Sequence, residues 1–264
     1  MKIGLLIDSL DLLEHAAQAG YDYAEVVPWL LGPDGEDAGA EAAVRARIET
    51  APLPVATLCG FLPDPERLGL MVVGERVDRE RLRAYTTRVF DRMQRLGIDV
   101  IGFGSGSART VPEGFPVERA LEQVREFLRM CADLGESRGV RVAVEPYNRA
   151  DSNLMNTVPE ALRVVRELDL PGVRLMADFF HMRLNGEELD ELGPAGPYLI
   201  HAHIAEPGRG HRQTTPPEHA AFLTALRRAG YDGRVTQTGH LPAYGSGAEA
   251  AAALKRAARD DGAD

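Results

Sequence analysis

A short β-rich run, a polar turn and a longer stretch of helical periodicity recur in that order along the whole chain. The runs cover residues 2–7, 23–27, 54–59, 100–104, 140–145, 173–178, 199–204 and 233–238. Each precedes a candidate helix with its own start or stop signal. The helix opening at Ser9 begins on an N-cap type and ends at Gly20. Between Val77 and Gly97, Leu82, Tyr85, Val89, Met93 and Leu96 fall at i, i+3, i+4 spacing. Thr157-Val158-Pro159-Glu160 places a capping residue, a first-turn Pro and an acidic residue ahead of Leu162 and Val165. The same signals predict helices over 36–51, 116–139, 187–192, 216–230 and 248–259. Eight such units predict an α/β protein, a closed (β/α)8 TIM barrel forming a single domain over 1–264. The alternative, a doubly wound open sheet, calls for a glycine-rich turn after the first strand, and Asp8-Ser9-Leu10-Asp11 is not one. The longest non-helical insertion, 60–76, follows the third run and is placed over the barrel mouth.

Charge narrows the partners. The 264 residues carry 30 Lys and Arg against 40 Asp and Glu, a net charge of −10. A general polyanion binder carries the opposite sign, so nucleic acid and anionic lipid are not expected. No apolar run approaches the roughly 18 residues of a membrane span. Met1 leads straight into the first strand, without the pattern of a signal peptide. Cys59 and Cys131 lack metal-type spacing and are expected as free buried thiols of a cytoplasmic protein. A small-molecule partner remains, and a homo-oligomer is left open.

In a (β/α)8 barrel, function sits at the C-terminal ends of the strands. Alternation along Val142-Ala143-Val144-Glu145 turns the valines to the helices and Glu145 to the axis. The sixth run ends on Asp178 and the seventh carries His201 and His203 on one face. Three consecutive strands thus deliver Glu145, Asp178 and His203 to one rim. Two carboxylates and an imidazole suit a divalent cation, Mn²⁺, Mg²⁺, Co²⁺ or Zn²⁺. Glu25 faces either a substrate or a salt bridge to a neighbouring strand. Trp29, on a mouth loop, either stacks on a sugar face or packs into the core. The Gly102–Ser107 loop either approaches phosphate or is a tight turn, and nearby Arg109 either pairs with an acidic substrate group or is solvated.

Glu145-Pro146-Tyr147-Asn148-Arg149, 152–157, Asp178-Phe179-Phe180-His181-Met182 and His203-Ile204-Ala205-Glu206-Pro207-Gly208-Arg209 together resemble the sugar isomerase/epimerase branch of the xylose-isomerase-like barrels. The resemblance covers nearly the whole chain. It implies that Glu145 is both a metal ligand and an acid/base carboxylate, and that Asp178 and His203 are further ligands. It also implies that His181 hydrogen-bonds the substrate near the metal and that Arg209 binds a substrate oxygen or acidic end. The implied chemistry is proton transfer through an enediolate. The family pattern calls for a second Glu at the end of the eighth strand, and here the sequence runs Val235-Thr236-Gln237-Thr238-Gly239-His240. Thr238 or, with a shift of one, Gln237 stands at that place; Gln237 can ligate through its amide oxygen, and His240 can swing in as a ligand or substrate contact. The expected activity is a metal-assisted isomerase or epimerase of a sugar, polyol or related hydroxy-carbonyl compound. A lyase cleaving an oxidised glycoside, a metal-free biosynthetic relative and a non-catalytic sugar-binding barrel are the alternatives.

Overall fold

The computed structural model describes residues 1–32, 37–205, 217–239 and 247–259. Eight parallel strands close into a barrel in chain order. They are β1 (Lys2–Leu6), β2 (Tyr23–Val26), β3 (Val55–Leu58), β4 (Val100–Phe103), β5 (Arg141–Val144), β6 (Val173–Asp178), β7 (Leu199–Ile204) and β8 (Arg234–Gln237). The ring closes where β1 pairs with β8, Gly4 opposite Thr236 and Leu5 opposite Gln237. Every run expected from the sequence is a strand, trimmed by up to two residues in all. The trimming falls at strand ends, and Glu145, just past β5, is among the residues trimmed.

The principal helices between strands are α1 (Leu13–Gln18), α2 (Ala38–Glu49), α4 (Arg79–Leu96), α6 (Val117–Glu136), α7 (Val158–Leu168), α10 (Pro217–Arg228) and α11 (Gly247–Ala257), with α3 (Pro65–Leu68) and α5 (Gly106–Arg109) as single turns in the loops after β3 and β4. Side-chain oxygens of Asp37, Asp78 and Thr157 accept from the first-turn amides of α2, α4 and α7, satisfying donors that a helix start leaves open. No helix among the described residues is long and apolar enough to cross a membrane.

Three local expectations need correction. The helix opening at Ser9 starts as a 3-10 turn, Leu10–Leu12, before α1. The tight turn after β4 holds the single turn α5. The connection after β6 is also more broken than the sequence suggested. A helix α8 (Phe179–Asn185) starts on Asp178 itself, whose carboxylate caps the Phe180 amide. The expected 187–192 helix is instead a 3-10 turn, Leu189–Glu191, running into α9 (Leu192–Ala195). Pro194 and Pro197 interrupt that segment and remove helix donors.

The main core lies between sheet and helices, where outward residues such as Ile3, Leu5, Val142, Leu175 and Ile204 are fully or almost fully buried. Inside the barrel, Val100, Ala143 and Met176 form a small apolar cluster. Beside it lies a polar group of Tyr23, Glu25, Thr57, His201 and Thr236, all buried, with Met176 paired to His201 and Val100 to Thr57. Tyr23 reaches across the interior only because β1 has Gly4, where an added Cβ would lie 2.3 Å from the tyrosine ring. Glu145, Asp178 and His203 stand at the C-terminal rim. Cys59 and Cys131 are both buried.

Candidate active site

The strand register brings the rim together. Asp178 pairs with His203 across β6 and β7, and Glu145 follows directly on β5, its amide donating to the Phe103 carbonyl at 3.1 Å. His203 Nδ1 lies 3.4 Å from Glu145 Oε1 and 3.7 Å from Asp178 Oδ2. All three residues are no more than 3 % exposed.

Each histidine has a defined tautomer because its partner can only accept or only donate. Glu25 is fully buried on β2, with His201 Nε2 at 2.9 Å and His203 Nε2 at 3.2 Å from its oxygens. Burial opposes its charge, but the two imidazoles overcome that and hold the Glu25 carboxyl well below its ordinary range. An ionised carboxylate only accepts, so both Nε2 atoms carry hydrogen. His203 therefore turns Nδ1 toward Glu145 and Asp178. Burial opposes charge on His203 too, yet Glu25, Asp178 and Glu145 raise it well above the usual imidazole range. Buried His201 is lowered and stays neutral, its Nδ1 without a hydrogen-bond partner. Asp178 is held down to about 2, its burial outweighed by His203, His181 and the Phe180 amide.

His181 is one helical turn beyond Asp178. The Asn148 backbone amide and side-chain Nδ2 lie 3.2 and 2.8 Å from His181 Nδ1. Both can only donate, so Nδ1 accepts and Nε2 carries the hydrogen, facing Asp178 Oδ2 at 3.7 Å. A nitrogen that carries hydrogen donates to an oxygen and does not ligate a cation. Tyr147 stacks on the His181 ring at 4.2 Å between centroids. The Tyr147 ring and the Glu145 carboxylate both press on Gly104, where an added Cβ would fall 2.3 Å from Glu145 Oε2 and 2.5 Å from the tyrosine hydroxyl.

The remaining candidates separate. Glu25 is fully buried with both oxygens taken, and its ion pairs run not to a neighbouring strand, as one sequence reading had it, but across the interior to His201 and His203 on β7. Gln237 is not brought to the carboxylates. It pairs with outward-facing Leu5 and Ile204, and its Oε1 accepts from the Tyr21 hydroxyl at 2.6 Å. Thr236 is the axial residue, opposite His203, and alternation makes Thr238 the next. Trp29 stays half-buried in the mouth loop with the Arg67 guanidinium 5.0 Å from its ring. Arg109 is neither solvated nor turned to an acidic ligand. It is fully buried, donates to the Glu145 carbonyl at 2.6 Å and the Phe103 carbonyl at 3.4 Å, and burial lowers its pKa to about 10. Arg209, Glu206 and His240 lie outside the described residues. The sequence reading gave Tyr147 and Asn148 no role, although their place two and three residues after Glu145 was in view.

Two groups of acidic and histidine side chains lie close enough together to be weighed as cation sites, Glu145 with Asp178 and His181, and Glu25 with His201 and His203; in the first, His181 is spent on Asn148 and bears hydrogen at Nε2, which leaves the two carboxylates. The second is closed, since each Nε2 bears hydrogen toward Glu25. The His203 Nδ1 lone pair with Glu145 and Asp178 fits a divalent cation: ligand atoms at roughly 2.1 Å from such an ion stand about 3 Å apart in octahedral geometry. Without a cation, two carboxylates facing that nitrogen call for a proton there.

The xylose isomerase-like TIM barrel family matches residues 13–258, and the chain belongs to that family. It is 26% identical over 243 residues to the 3-dehydro-D-guloside 4-epimerase of Escherichia coli strain K12, covering 89% of this chain and 88% of that protein. It is 30% identical over 250 residues to a putative hydroxypyruvate isomerase of Streptomyces coelicolor, with coverage of 89% and 88%. A crystal structure of an E. coli 3-keto-D-glucoside 4-epimerase in its apo form superposes with a TM-score of 0.79 at 24% identity, over 97% of this chain and 98% of that one.

Proposed function

We propose that this protein is an isomerase or epimerase of sugar-like α-hydroxy-carbonyl compounds, working on a divalent cation held by Glu145, Asp178 and His203. The observation that carries the reading is the convergence of two buried carboxylates on a histidine nitrogen whose lone pair the Glu25 carboxylate aims at them. The kinship with sugar epimerases and a hydroxypyruvate isomerase supports it. When bound, the cation supplies Lewis-acid polarisation of the carbonyl and its neighbouring hydroxyl, and stabilises the negative charge of an enediolate.

The chain's own residues do the rest. The Glu145 carboxylate takes the proton from the carbon next to the carbonyl; the C–H bond pair becomes the enediolate and a Glu145 O–H forms. Return of the proton to the neighbouring carbon isomerises the substrate. Return to the same carbon from the opposite face epimerises it, and requires a donor on that face. His181 Nε2–H donates to a substrate oxygen beside the carboxylates. The Tyr147 ring and the two Asn148 donors hold its imidazole in place.

Turnover of a panel containing hydroxypyruvate, D-psicose and 3-keto-glucosides, with Mn²⁺ present, tests the reading. Wild type should turn over at least one member, and Glu145→Gln should reduce kcat by about 10²- to 10⁴-fold. Equal activity in the variant, or none in wild type with metal bound, refutes the proposal.

A further inference from the structure

We infer that the Tyr147 hydroxyl is a substrate contact: it donates a hydrogen bond to an oxygen of the bound hydroxy-carbonyl compound, beside the carbon that Glu145 deprotonates. The inference rests on the proposed function and adds to that site a residue from the loop after β5.

Among the described residues, Tyr21, Tyr23, Tyr85 and Tyr231 are buried, and each spends its hydroxyl inside the fold. Tyr21 donates to Gln237 Oε1, Tyr23 pairs with Thr236 Oγ1, Tyr85 donates to the Phe61 carbonyl and Tyr231 to the Arg234 carbonyl. That is the ordinary fate of an enclosed phenol. Tyr147 differs. Its side-chain contacts are made by the ring, and among the described residues no hydrogen bond reaches its hydroxyl. The ring stacks on His181 at 4.2 Å between centroids, and the Arg109 guanidinium lies 5.3 Å from its centre. Its edges rest on glycine backbone. An added Cβ would fall 2.5 Å from Tyr147 Cε1 and Oη at Gly104, and 2.8 Å from Cδ2 at Gly106.

These contacts fix where the hydroxyl stands. The same added Cβ at Gly104 would lie 2.3 Å from Glu145 Oε2, so the phenol and carboxylate oxygens are near neighbours. Burial first and then Glu145 push the hydroxyl up; Arg109 opposes them, while Cys59, just past β3, and Asp178, at the end of β6, act with them. The group is therefore an O–H donor across the neutral range, set among strand ends at the mouth. Tyr147 is only half-buried, whereas Glu145, Asp178 and His181 beside it are buried.

Tyr147 and His181 thus form a stacked pair of donors, Oη–H and Nε2–H. An α-hydroxy-carbonyl compound carries oxygens on neighbouring carbons, and negative charge grows on them as the C–H pair enters the enediolate. A donor already oriented toward such an oxygen binds it more strongly as that charge develops. The contact moves no proton, and Glu145 remains the base.

Tyr147→Phe in the full chain tests the inference, because it removes the hydroxyl and keeps the ring on His181. Circular dichroism and calorimetric Mn²⁺ affinity should match wild type. On whichever member of the substrate panel wild type turns over, kcat should fall by about 10²- to 10³-fold, with KM changed far less. Calorimetric binding of glycolohydroxamate, a planar enediolate mimic, to the Mn²⁺-loaded chain should weaken by a similar factor. A folded variant with wild-type kcat and wild-type hydroxamate affinity overturns the inference and leaves the proposed function standing. So does a variant that loses its fold or its Mn²⁺, since the hydroxyl would then be a structural group. If wild type with one Mn²⁺ bound turns over no panel member, the proposed function falls and this inference with it.

Discussion

Glu145 owes its position to residues that never meet a substrate. Gly104 leaves room for its carboxylate, and Arg109 holds its carbonyl from below. Gly104→Ala would put a methyl 2.3 Å from Glu145 Oε2, so the carboxylate or the backbone must shift. Since a misplacement of about 1 Å costs on the order of 10²-fold in rate, kcat should fall by about that factor, as steady-state kinetics would register. An unchanged kcat would mean that Gly104 does not set the position of the base. Glu25 acts one step further from the chemistry. Glu25→Gln should weaken Mn²⁺ binding by about 10- to 100-fold while circular dichroism stays native, because the carboxylate fixes the tautomer of His203. Unaltered affinity would show that His203 keeps its orientation without it. The role of Glu25 was not legible in the sequence, because its partners are 176 and 178 residues away. The Glu145, Asp178 and His203 triad was legible, because each sits at the same place on successive strands.

Among the elements, the β6-to-β7 connection departs most from its sequence signal. Asp178 closes the sixth run in the sequence, and in the structure it is at once the last strand residue and the cap of α8. That dual use places Asp178 and His181 one helical turn apart, which brings both to the rim. The same connection carries a pH-dependent contact. Glu187 Oε2 accepts from the Val158 amide at the start of α7 at 2.7 Å. Burial above all, with Glu191 nearby, raises the Glu187 carboxyl from 4.5 to about 7. The folded chain thus keeps a proton that the unfolded chain has lost, and stability declines as pH rises from about 4.5 through 7. After allowance for solvent screening of a partly exposed group, the loss should be about 1 kcal/mol. Denaturant unfolding at pH 5 and pH 8 should show it, and Glu187→Gln should flatten that difference; an equal slope in the variant would assign the effect elsewhere. The eighth strand gives the opposite lesson. Counting along the run put Thr238 at the expected place, or Gln237 with a shift of one, and only the ladder with β1 and β7 shows which side chain turns inward.

At the scale of the molecule, the barrel was legible because eight βα units each announce themselves locally, and closure follows from their number and chain order. The polar group inside it was less so: Tyr23, Glu25, His201 and Thr236 come together from strands far apart in sequence, and a buried polar stratum needs partners that no local pattern displays. That stratum links the fold to the site, since it orients His203 from beneath while Glu145 and Asp178 face it from the rim. The account predicts that a calorimetric titration of the purified, metal-stripped chain with Mn²⁺ will show one site per chain, lost in Asp178→Asn, with the variant still folded. Absence of binding at millimolar Mn²⁺, or equal binding by the Asp178→Asn chain, would contradict the assignment of Glu145, Asp178 and His203 as the cation site.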